Sequence, residues 1–473
     1  MDNLFLPGNL RYQPKEMIPY FGYDNLYKTF VDVEMATLEV LHDIKVIPDD
    51  EYAKITVSIK KQLQQIKTTQ VDKLERAVTK HDIRALVKSI QEVIRSEINR
   101  WAHVPLTSYD VIDTGRSMTF FGAYEGAIKP ALLQVISLLS SKVIDLAYTK
   151  QIGRTHGQHA LPITVGFWLA TVLNRWMYNY YEMERFVNSL VGKISGAVGA
   201  YNAQIGLGLS DDTGDFEKKV LAKLAMKPAA ISTQILPPEP LAYFLHSCVM
   251  MSASLGQFGR DGRNLMRTEI AEIREAFEDG QVGSSTMAHK RNPVNFENLE
   301  GFYWKTKNEY GKVLDALISD HQRDLVGSCI ARDFPIILIN LQHQLNTLLR
   351  KGKNGIAFLT AITVDEESCQ RNLNQSAGLV IAEPLYIALQ MAGYTGDAHE
   401  LVNKQLMPVA KGKDLLSALL ELTITDHKLK EVVDNIPEKV MELLQNPSSY
   451  TGAASSKALL IAEEARKLVV HKL

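Results

Sequence analysis

The sequence predicts an all-α fold, because apolar residues recur at helical spacing along most of the chain and strand-like alternation is scarce. The clearest example begins at Leu132, after which apolar residues follow at +3, +4, +7, +11 and +14 and end with Leu146. This spacing places them on one face of a helix of about four turns. Polar residues fill the other positions, so the apolar face predicts a buried core. No internal repeat or long heptad array is visible, which argues against a solenoid or a coiled coil.

Length and local pattern divide the predicted helices into domains. A chain of 473 residues is longer than a single hydrophobic core usually supports, so two or three domains are expected. Helical spacing gives way to a loop near His103, resumes, and continues in a smaller segment after about residue 357. We therefore predict an N-terminal helical domain of residues 1–105, a central helical domain of residues 106–357 and a C-terminal helical domain of residues 358–473.

The composition argues against several classes of function. A formal net charge of −2 gives no global reason to expect nucleic-acid or membrane binding. The three cysteines are widely spaced and form no CxxC pair, which is typical of reduced thiols, and no motif predicts a metal site. No signal-peptide pattern is seen, and the apolar run at 163–170 is too short for a membrane span. We expect a cytoplasmic, soluble protein without metal or cofactor.

The segment best suited to chemistry is residues 283–293, which read Gly-Ser-Ser-Thr-Met-Ala-His-Lys-Arg-Asn-Pro. Glycine lets the backbone approach a ligand closely, and Lys290 and Asn292 can donate to carboxylate or phosphate oxygens. Asn292-Pro293 is typical of a helix start, whose unpaired N–H groups favour an anion. On these residues alone, an anion site and an ordinary connection before a well-capped helix are equally open.

Three other loops carry polar residues near helix starts. Thr107 or Ser108 caps a predicted helix, and His81-Asp82 stands at another helix start. Capping alone explains both. His156 lies between two glycines, which argues against a place on an apolar helix face. A functional and a structural role for this histidine remain equally open.

Together these loops resemble the fumarase/aspartase superfamily. Residues 283–293 match its signature pattern Gly-Ser-Ser-x-Met-Pro-x-Lys-x-Asn-Pro except at Ala288, where proline is usual. Residues 107–110, Thr-Ser-Tyr-Asp, are similar to its Thr-Ser-x-Asp motif, and residues 154–158 to its Arg-Thr-His-Gly-Gln motif. Ala288 removes no chemical group, so this departure loosens the loop only slightly.

Other segments resemble the adenylosuccinate lyase family within that superfamily. These segments are Arg11-Tyr12 in an N-terminal arm, His81-Asp82, residues 232–234 (Ser-Thr-Gln) and residues 322–332 (Gln-Arg-Asp-Leu…Ser…Arg). The resemblance extends nearly end to end. It departs from the family at residues 237–240, Pro-Pro-Glu-Pro, where versions containing arginine or histidine are expected.

The resemblance implies an architecture and a reaction. The architecture is three helical domains with a long central bundle that assembles a homotetramer, whose active sites combine motif regions from three chains. The substrate is a small nucleotide, and the reaction eliminates fumarate from it. Adenylosuccinate then gives AMP and SAICAR gives AICAR, both in purine biosynthesis, and no cofactor is needed.

The resemblance also implies roles for individual residues. Ser284 would be the general base, His156 the general acid and Glu297 the acid that orients His156. His81 joins this catalytic set, and it stays open whether His156, His81 or His103 delivers the proton. The implied substrate-binding residues, in which Arg11, Tyr12, Arg323 and Arg332 are directed to phosphate, are Arg11, Tyr12, Asp82, Thr107, Ser108, Thr155, Gln234, Lys290, Asn292, Arg323, Ser328 and Arg332.

Two alternative functions stay open from the sequence. The first is another member of the superfamily, such as an argininosuccinate lyase, an aspartase, a fumarase or a carboxymuconate cycloisomerase. The phosphate-directed arginines argue against those with unphosphorylated substrates. The second is a catalytically silent structural protein on the same scaffold. Such a protein could lose Ser284, His156, Lys290 or Glu297, yet all four are present.

Overall fold

In the computed structural model, residues 12–276, 287, 289–410 and 413–472 are described. They form an all-α fold, as predicted from the helical spacing. The α-helices are α1 (Ile18–Phe21), α2 (Lys28–Asp43), α3 (Asp49–Tyr52), α4 (Val57–Leu63), α5 (Thr68–Leu74), α6 (Asp82–Ile94), α7 (Ser108–Ala123), α8 (Lys129–Asp145), α9 (Val165–Val187), α10 (Asn202–Gly206), α11 (Asp215–Lys223), α12 (Glu239–Leu265), α13 (Val294–Asp315), α14 (Pro335–Leu349), α15 (Phe358–Ala361), α16 (Glu366–Val380), α17 (Ala382–Met391), α18 (Ala398–Glu400), α19 (Met407–Val409), α20 (Leu415–Leu422), α21 (His427–Asp434), α22 (Glu438–Gln445) and α23 (Ala454–Lys472).

Strands are short and come in pairs. They are β1 (Lys150–Thr155), β2 (Gln158–Thr164), β3 (Val191–Gly192), β4 (Lys227–Pro228), β5 (Ile273–Arg274) and β6 (Thr363–Val364). The β1–β2 hairpin is antiparallel, with Lys150 opposite Thr164 and Thr155 opposite Gln158. The sequence predicted helix directly after residue 158, and this was wrong. Pro162 lacks the N–H that a helix interior needs, so α9 begins only at Val165.

The chain forms two compact units, each assembled from three chain segments. Unit 1 comprises Met1–Leu132, Tyr178–Gly256 and Asn298–Thr347, and unit 2 comprises Leu133–Met177, Gln257–Glu297 and Leu348–Leu473. Five helices, among them the long α9, α12 and α13, have residues in both units. The predicted division into domains 1–105, 106–357 and 358–473 stays a prediction.

Unit 1 has a core built from amphipathic helices near the N-terminus. The residues of α2 and α6 that face this core recur at helical spacing and are fully buried, among them Leu38, Leu41, Leu86 and Ile90. Phe216 of α11 completes the same cluster. The burial of these side chains holds α2 in the core. Val111, near the start of α7, belongs to the same core.

Unit 2 has an apolar core in its C-terminal part, formed by residues 381–444 of α17 to α22. Elsewhere in unit 2, the side chain of Glu272 is fully buried. The Glu272 carboxylate accepts hydrogen bonds from Arg154 at 2.7 and 3.0 Å, from Gln151 at 2.8 Å and from Asn372 at 2.8 Å. A buried carboxylate is tolerated when its lone pairs are satisfied in this way, so β1 and α16 are held to one point.

One helical run, Ser108–Asp145, is long and apolar enough to cross a membrane by length and composition alone. It spans α7, a π-helical turn at Tyr124–Ile128 and α8. Half of its most apolar window is buried within the protein. Core helices of soluble proteins pass the same test, so this run is weak evidence for a membrane span.

Candidate functional site

The predicted Thr107-Ser108 motif lies at the start of α7 in unit 1. Thr107 is the N-cap residue, as the sequence predicted, and its N–H donates to Asp110 Oδ2 at 2.8 Å. Asp110 is fully buried and pairs with the equally buried Lys193. Its Oδ1 also accepts the N–H of Ser195 at 3.1 Å. The motif therefore stands on a fixed backbone, with both hydroxyls at a helix N-terminus that favours an anion.

Gln234 and Arg323 come together in unit 1, although 89 residues separate them. Arg323 Nη1 donates to Gln234 Oε1 at 2.9 Å. The face of the same guanidinium lies against Tyr109, with Cζ 3.5 Å from the ring centroid. Arg323 and Gln234 were both predicted from the resemblance, whereas no sequence pattern connects Tyr109 with either.

A cavity of about 120 Å³ opens beside this group. Its polar lining residues include Tyr109, Arg116, Arg323 and Ser328, together with the carboxylates of Asp113 and Asp324. Its apolar lining residues include prolines of the unusual segment 237–240. The cavity thus suits a ligand with an anionic part and an apolar body, and the prolines supply its apolar wall.

Asp113 forms the buried edge of this cavity. Its Oδ2 accepts the N–H of Leu236 at 2.9 Å, and its Oδ1 lies 3.4 Å from Arg116 Nη1. Burial raises the pKa of Asp113, and the charge of Arg116 acts in the opposite direction. The carboxylate therefore holds the 235–240 segment against α7 and keeps Arg116 in the cavity wall.

Ser328, Arg332 and Asp82 form a second group of predicted residues in unit 1. Arg332 Nη1 donates to the Ser328 hydroxyl at 3.1 Å, and Arg332 Nη2 lies 3.8 Å from Asp82 Oδ2. His81 is the N-cap of α6, where its Nδ1 accepts the Arg84 N–H at 3.4 Å. The helix-start interpretation of His81-Asp82 is therefore confirmed for His81, while Asp82 also approaches Arg332.

Two further predicted or candidate residues of unit 1 have defined partners. The Tyr12 ring lies edge-on against Phe302 and His343, with centroids 5.4 and 5.3 Å away. His103 Nδ1 is 2.6 Å from Glu34 Oε1, and the backbone N–H of His103 donates to Glu34 Oε2 at 2.9 Å. Glu34 is buried and was not predicted from the sequence. The available signal was a carboxylate on the core-facing side of α2, which indicates a buried partner.

In unit 2, His156 occupies the tip of the β1–β2 hairpin. Its backbone has φ of +55°, and both His156 and the neighbouring Thr155 are exposed. Below the tip, Arg154 binds Glu272 with two N–H groups. This bidentate pair fixes the hairpin while leaving the imidazole free to meet a ligand.

His159, on β2, was not predicted. Its Nδ1 is 2.8 Å from the hydroxyl of Ser376 on α16. Burial lowers the pKa of His159, and the positive charge of Arg154 acts in the same direction. The neutral imidazole is thus favoured, and the hairpin is tied to α16 at a second point.

The end of the 283–293 segment leads into α13. Lys290 is exposed and Asn292 is half-buried, and α13 begins at Val294, within one residue of the predicted start. Ser284, Ala288 and Arg11 lie outside the described residues, so their predicted roles stay predictions.

The first turn of α13 is capped by Glu275, a residue that was not predicted from the sequence. Glu275 Oε1 accepts the N–H groups of Asn295 and Phe296, both at 2.9 Å. This carboxylate satisfies two of the unpaired donors that Asn292 was expected to cap. Glu297 is exposed on the same turn, and in the described part of the chain no hydrogen bond joins it to His156.

A metal site finds no support in the described ranges, since no three His, Cys, Asp or Glu side chains cluster there. The donors described above are instead guanidinium, hydroxyl, amide and imidazole groups. They suit an organic anion.

Comparison with known proteins identifies relatives along the whole chain. A lyase family model matches residues 21–305. The adenylosuccinate lyase of Pyrococcus horikoshii is 32% identical over 457 residues, 95% of each chain. That of Methanocaldococcus jannaschii is 30% identical over 472 residues, 98% of this chain and 96% of the other. That of Staphylococcus saprophyticus is 30% identical over 90% of this chain and 94% of the other.

Solved structures share the fold. The 3-carboxy-cis,cis-muconate lactonizing enzyme of Pseudomonas putida superposes with a TM-score of 0.79 and 24% identity, over 98% of this chain and 99% of that one. A fumarate lyase from Mesorhizobium has a TM-score of 0.78 and 21% identity, over 96% and 98% of the two chains. At this identity the likeness shows the fold alone.

Proposed function

The chain belongs to the adenylosuccinate lyase family, and on this premise we propose that it eliminates fumarate from adenylosuccinate, giving AMP, and from SAICAR, giving AICAR. It is a carbon–nitrogen lyase of purine biosynthesis acting on a small nucleotide substrate. The observation that carries the proposal is that identity of about 30% extends over almost the entire length of several such enzymes.

The chemical problem is removal of a proton next to a carboxylate, which places a second negative charge on that carboxylate. Donors fixed in advance around the developing charge lower the barrier, each by about 3–4 kcal/mol. Lys290, Asn292 and the Thr107–Ser108 helix start are proposed for this role. The buried Asp110–Lys193 pair supports it for Thr107, because the helix start needs no rearrangement when the charge forms.

We assign the proton transfers to Ser284 and His156. Ser284 would remove the proton as general base, and His156 would protonate the leaving nitrogen as general acid. A serine hydroxyl is a weak base and needs an anion-stabilising, water-excluded site to act. The place of His156 at an exposed hairpin tip, above the fixed Arg154–Glu272 pair, supports its assignment. His81, already engaged as an N-cap, and His103, paired with the buried Glu34, are less favoured than His156.

Substrate recognition is proposed for three sets of residues. Arg323, Gln234, Ser328, Arg332 and Asp82 form hydrogen-bonded or charge-paired contacts within unit 1, which supports a shared role in binding the nucleotide. Thr155 stands beside His156 on the hairpin and would bind near the leaving group. Arg11 and Tyr12 remain proposed as residues that hold the phosphate.

A homotetramer with shared active sites is proposed. Large apolar or aromatic side chains are exposed on the α9, α12 and α13 parts of unit 1, where another subunit could cover them; they are Tyr178, Tyr181, Tyr243, Met250 and Trp304. We also propose that the protein is soluble and cytoplasmic, as expected for an enzyme of purine synthesis.

The proposal is tested by offering the purified protein adenylosuccinate, SAICAR and argininosuccinate in parallel and measuring fumarate release. Release from the first two alone is expected. Release from argininosuccinate alone would contradict the assignment of Arg323 and Arg332 to a nucleotide phosphate. Sedimentation of the active protein as a tetramer is expected in the same preparation, and an active monomer would contradict the shared site.

A further inference from the structure

We propose that Tyr109 is a positioning residue that holds Arg323 as a preformed receptor for the anionic group of the substrate. The inference rests on the proposed function and adds to it a residue that neither the sequence motifs nor the relatives assign. Its basis is the arrangement of three side chains, Tyr109, Arg323 and Gln234, at the cavity of unit 1.

The guanidinium of Arg323 is held on its face and on one edge. The face lies against the Tyr109 ring, at 3.5 Å from Cζ to centroid. One edge donor goes to Gln234 Oε1 at 2.9 Å. A guanidinium carries five N–H donors around its edge and none on its face. The stacking on Tyr109 therefore uses the surface that cannot donate and leaves further donors for the cavity.

The charge of Arg323 has no ion-pair partner within the described residues. The adjacent carboxylate of Asp324 is occupied elsewhere, since it accepts the N–H groups of Val326 at 2.7 Å and Asp320 at 2.9 Å. The buried Asp113, which lines the same cavity, interacts electrostatically with Arg323 but forms no ion pair with it among the described residues. A half-buried guanidinium with no ion pair, facing a cavity, favours an anionic ligand. Phosphate or carboxylate oxygens, which accept from two donors of the fork at once, fit this role.

Tyr109 is itself fixed by the backbone that carries it. It is the second residue of α7, between Ser108 and Asp110, and Asp110 belongs to the buried pair with Lys193. The backbone position of the ring is therefore set by the helix start, and only side-chain rotation can move the ring away from Arg323. A receptor that is ordered before the ligand arrives loses less side-chain entropy on binding, so its effect appears mainly in affinity.

The test compares substitutions of Tyr109 alone and together with Arg323. Tyr109→Phe keeps the ring face, and the KM for adenylosuccinate should stay within about twofold of the wild type. Tyr109→Leu removes the ring but keeps an apolar side chain, and KM should rise about tenfold while kcat stays within about threefold, as expected from the strength of cation–π contacts. Tyr52→Leu, which removes a ring stacked on His42, is the matched control and should leave KM unchanged.

The double variant distinguishes positioning from a general structural role. If Tyr109 acts through Arg323, adding Tyr109→Leu to Arg323→Met should raise KM no further than Arg323→Met does alone. Additive increases in KM would overturn the proposal, and so would a Tyr109→Leu variant with wild-type KM. A Tyr109→Leu variant with lowered kcat and a lowered melting temperature would show a structural role instead.

A wild type that releases no fumarate would contradict the proposed function but not this inference. Calorimetric titration with AMP then replaces KM as the readout. The inference predicts that Tyr109→Leu weakens AMP binding about tenfold and that Tyr109→Phe retains it. Equal affinities for the two variants, or no binding of AMP by the wild type, would overturn it.

Discussion

Lys193 and Asp110 form an ion pair from which water is excluded, because both side chains are fully buried in unit 1. The carboxylate also accepts backbone N–H groups from Ser195 at 3.1 Å, Gly196 at 3.2 Å and Thr107 at 2.8 Å. One side chain therefore connects the start of α7 to the segment after β3. The proposed carboxylate-binding hydroxyls stand on that connection, so its loss should affect both stability and substrate binding.

We expect Lys193→Met to lower the free energy of unfolding by about 3–5 kcal/mol, because it leaves the Asp110 charge buried without its partner. Urea denaturation measures this directly. The matched control is Lys219→Met, which breaks an exposed pair with Asp215 one helical turn away. Pairs of that kind contribute about 0.5 kcal/mol or less. Equal effects of the two substitutions would show that the buried pair has no special importance.

The proton-transfer assignments predict that Ser284→Ala and His156→Ala each lower kcat for fumarate release by about 10²-fold or more, in the range expected for acid–base groups. His156→Ala should also leave the melting temperature nearly unchanged, because the His156 side chain is exposed. The matched controls are Ser456→Ala on α23 and His427→Ala on α21, which make the same two substitutions at exposed positions. A Ser284→Ala enzyme with wild-type turnover would remove Ser284 as the base.

The hairpin that carries His156 should depend on Glu272. Glu272→Gln removes the charge that pairs with Arg154, and we expect a loss of about 3 kcal/mol in unfolding free energy together with a lower kcat. Arg274→Gln is the control, since its pair with Asp365 is partly exposed and should contribute about 1 kcal/mol or less. A Glu272→Gln enzyme with normal stability and turnover would show that the hairpin does not need this carboxylate.

The sequence was sufficient for the fold class and for the helix starts at His81, at Thr107 and near Pro293, because these follow from local spacing and capping. The N-cap at Thr107 and the beginning of α13 near Pro293 are examples. The β1–β2 hairpin was not predicted, since its strands are short and lack clear alternation. Its stability comes from Glu272, which lies more than a hundred residues away in the chain.

The candidate site shows the same limit. Motif residues such as Arg323 and Gln234 could be recognised from the sequence by resemblance. The residues that hold functional groups in place could not be recognised. Tyr109 contacts Arg323, Glu34 contacts His103 and Glu275 caps α13, and each contact joins separate segments of the chain. Local patterns carry no information about such contacts. A buried carboxylate on an otherwise apolar helix face was the one available signal, and it indicates a partner without identifying it.

His159 predicts a pH dependence of stability. Its pKa is lowered in the folded protein by burial and by Arg154, so the unfolded chain binds the additional proton more readily. Above the unfolded pKa of about 6.5, His159 makes its full contribution to the free energy of unfolding. That contribution is lost as the pH falls from about 6.5 towards the lowered pKa of the folded state. His159→Asn keeps an acceptor for the Ser376 hydroxyl but does not titrate. Urea denaturation between pH 7.5 and pH 5 should therefore show a smaller loss of stability for His159→Asn than for the wild type, and parallel curves would contradict the assignment.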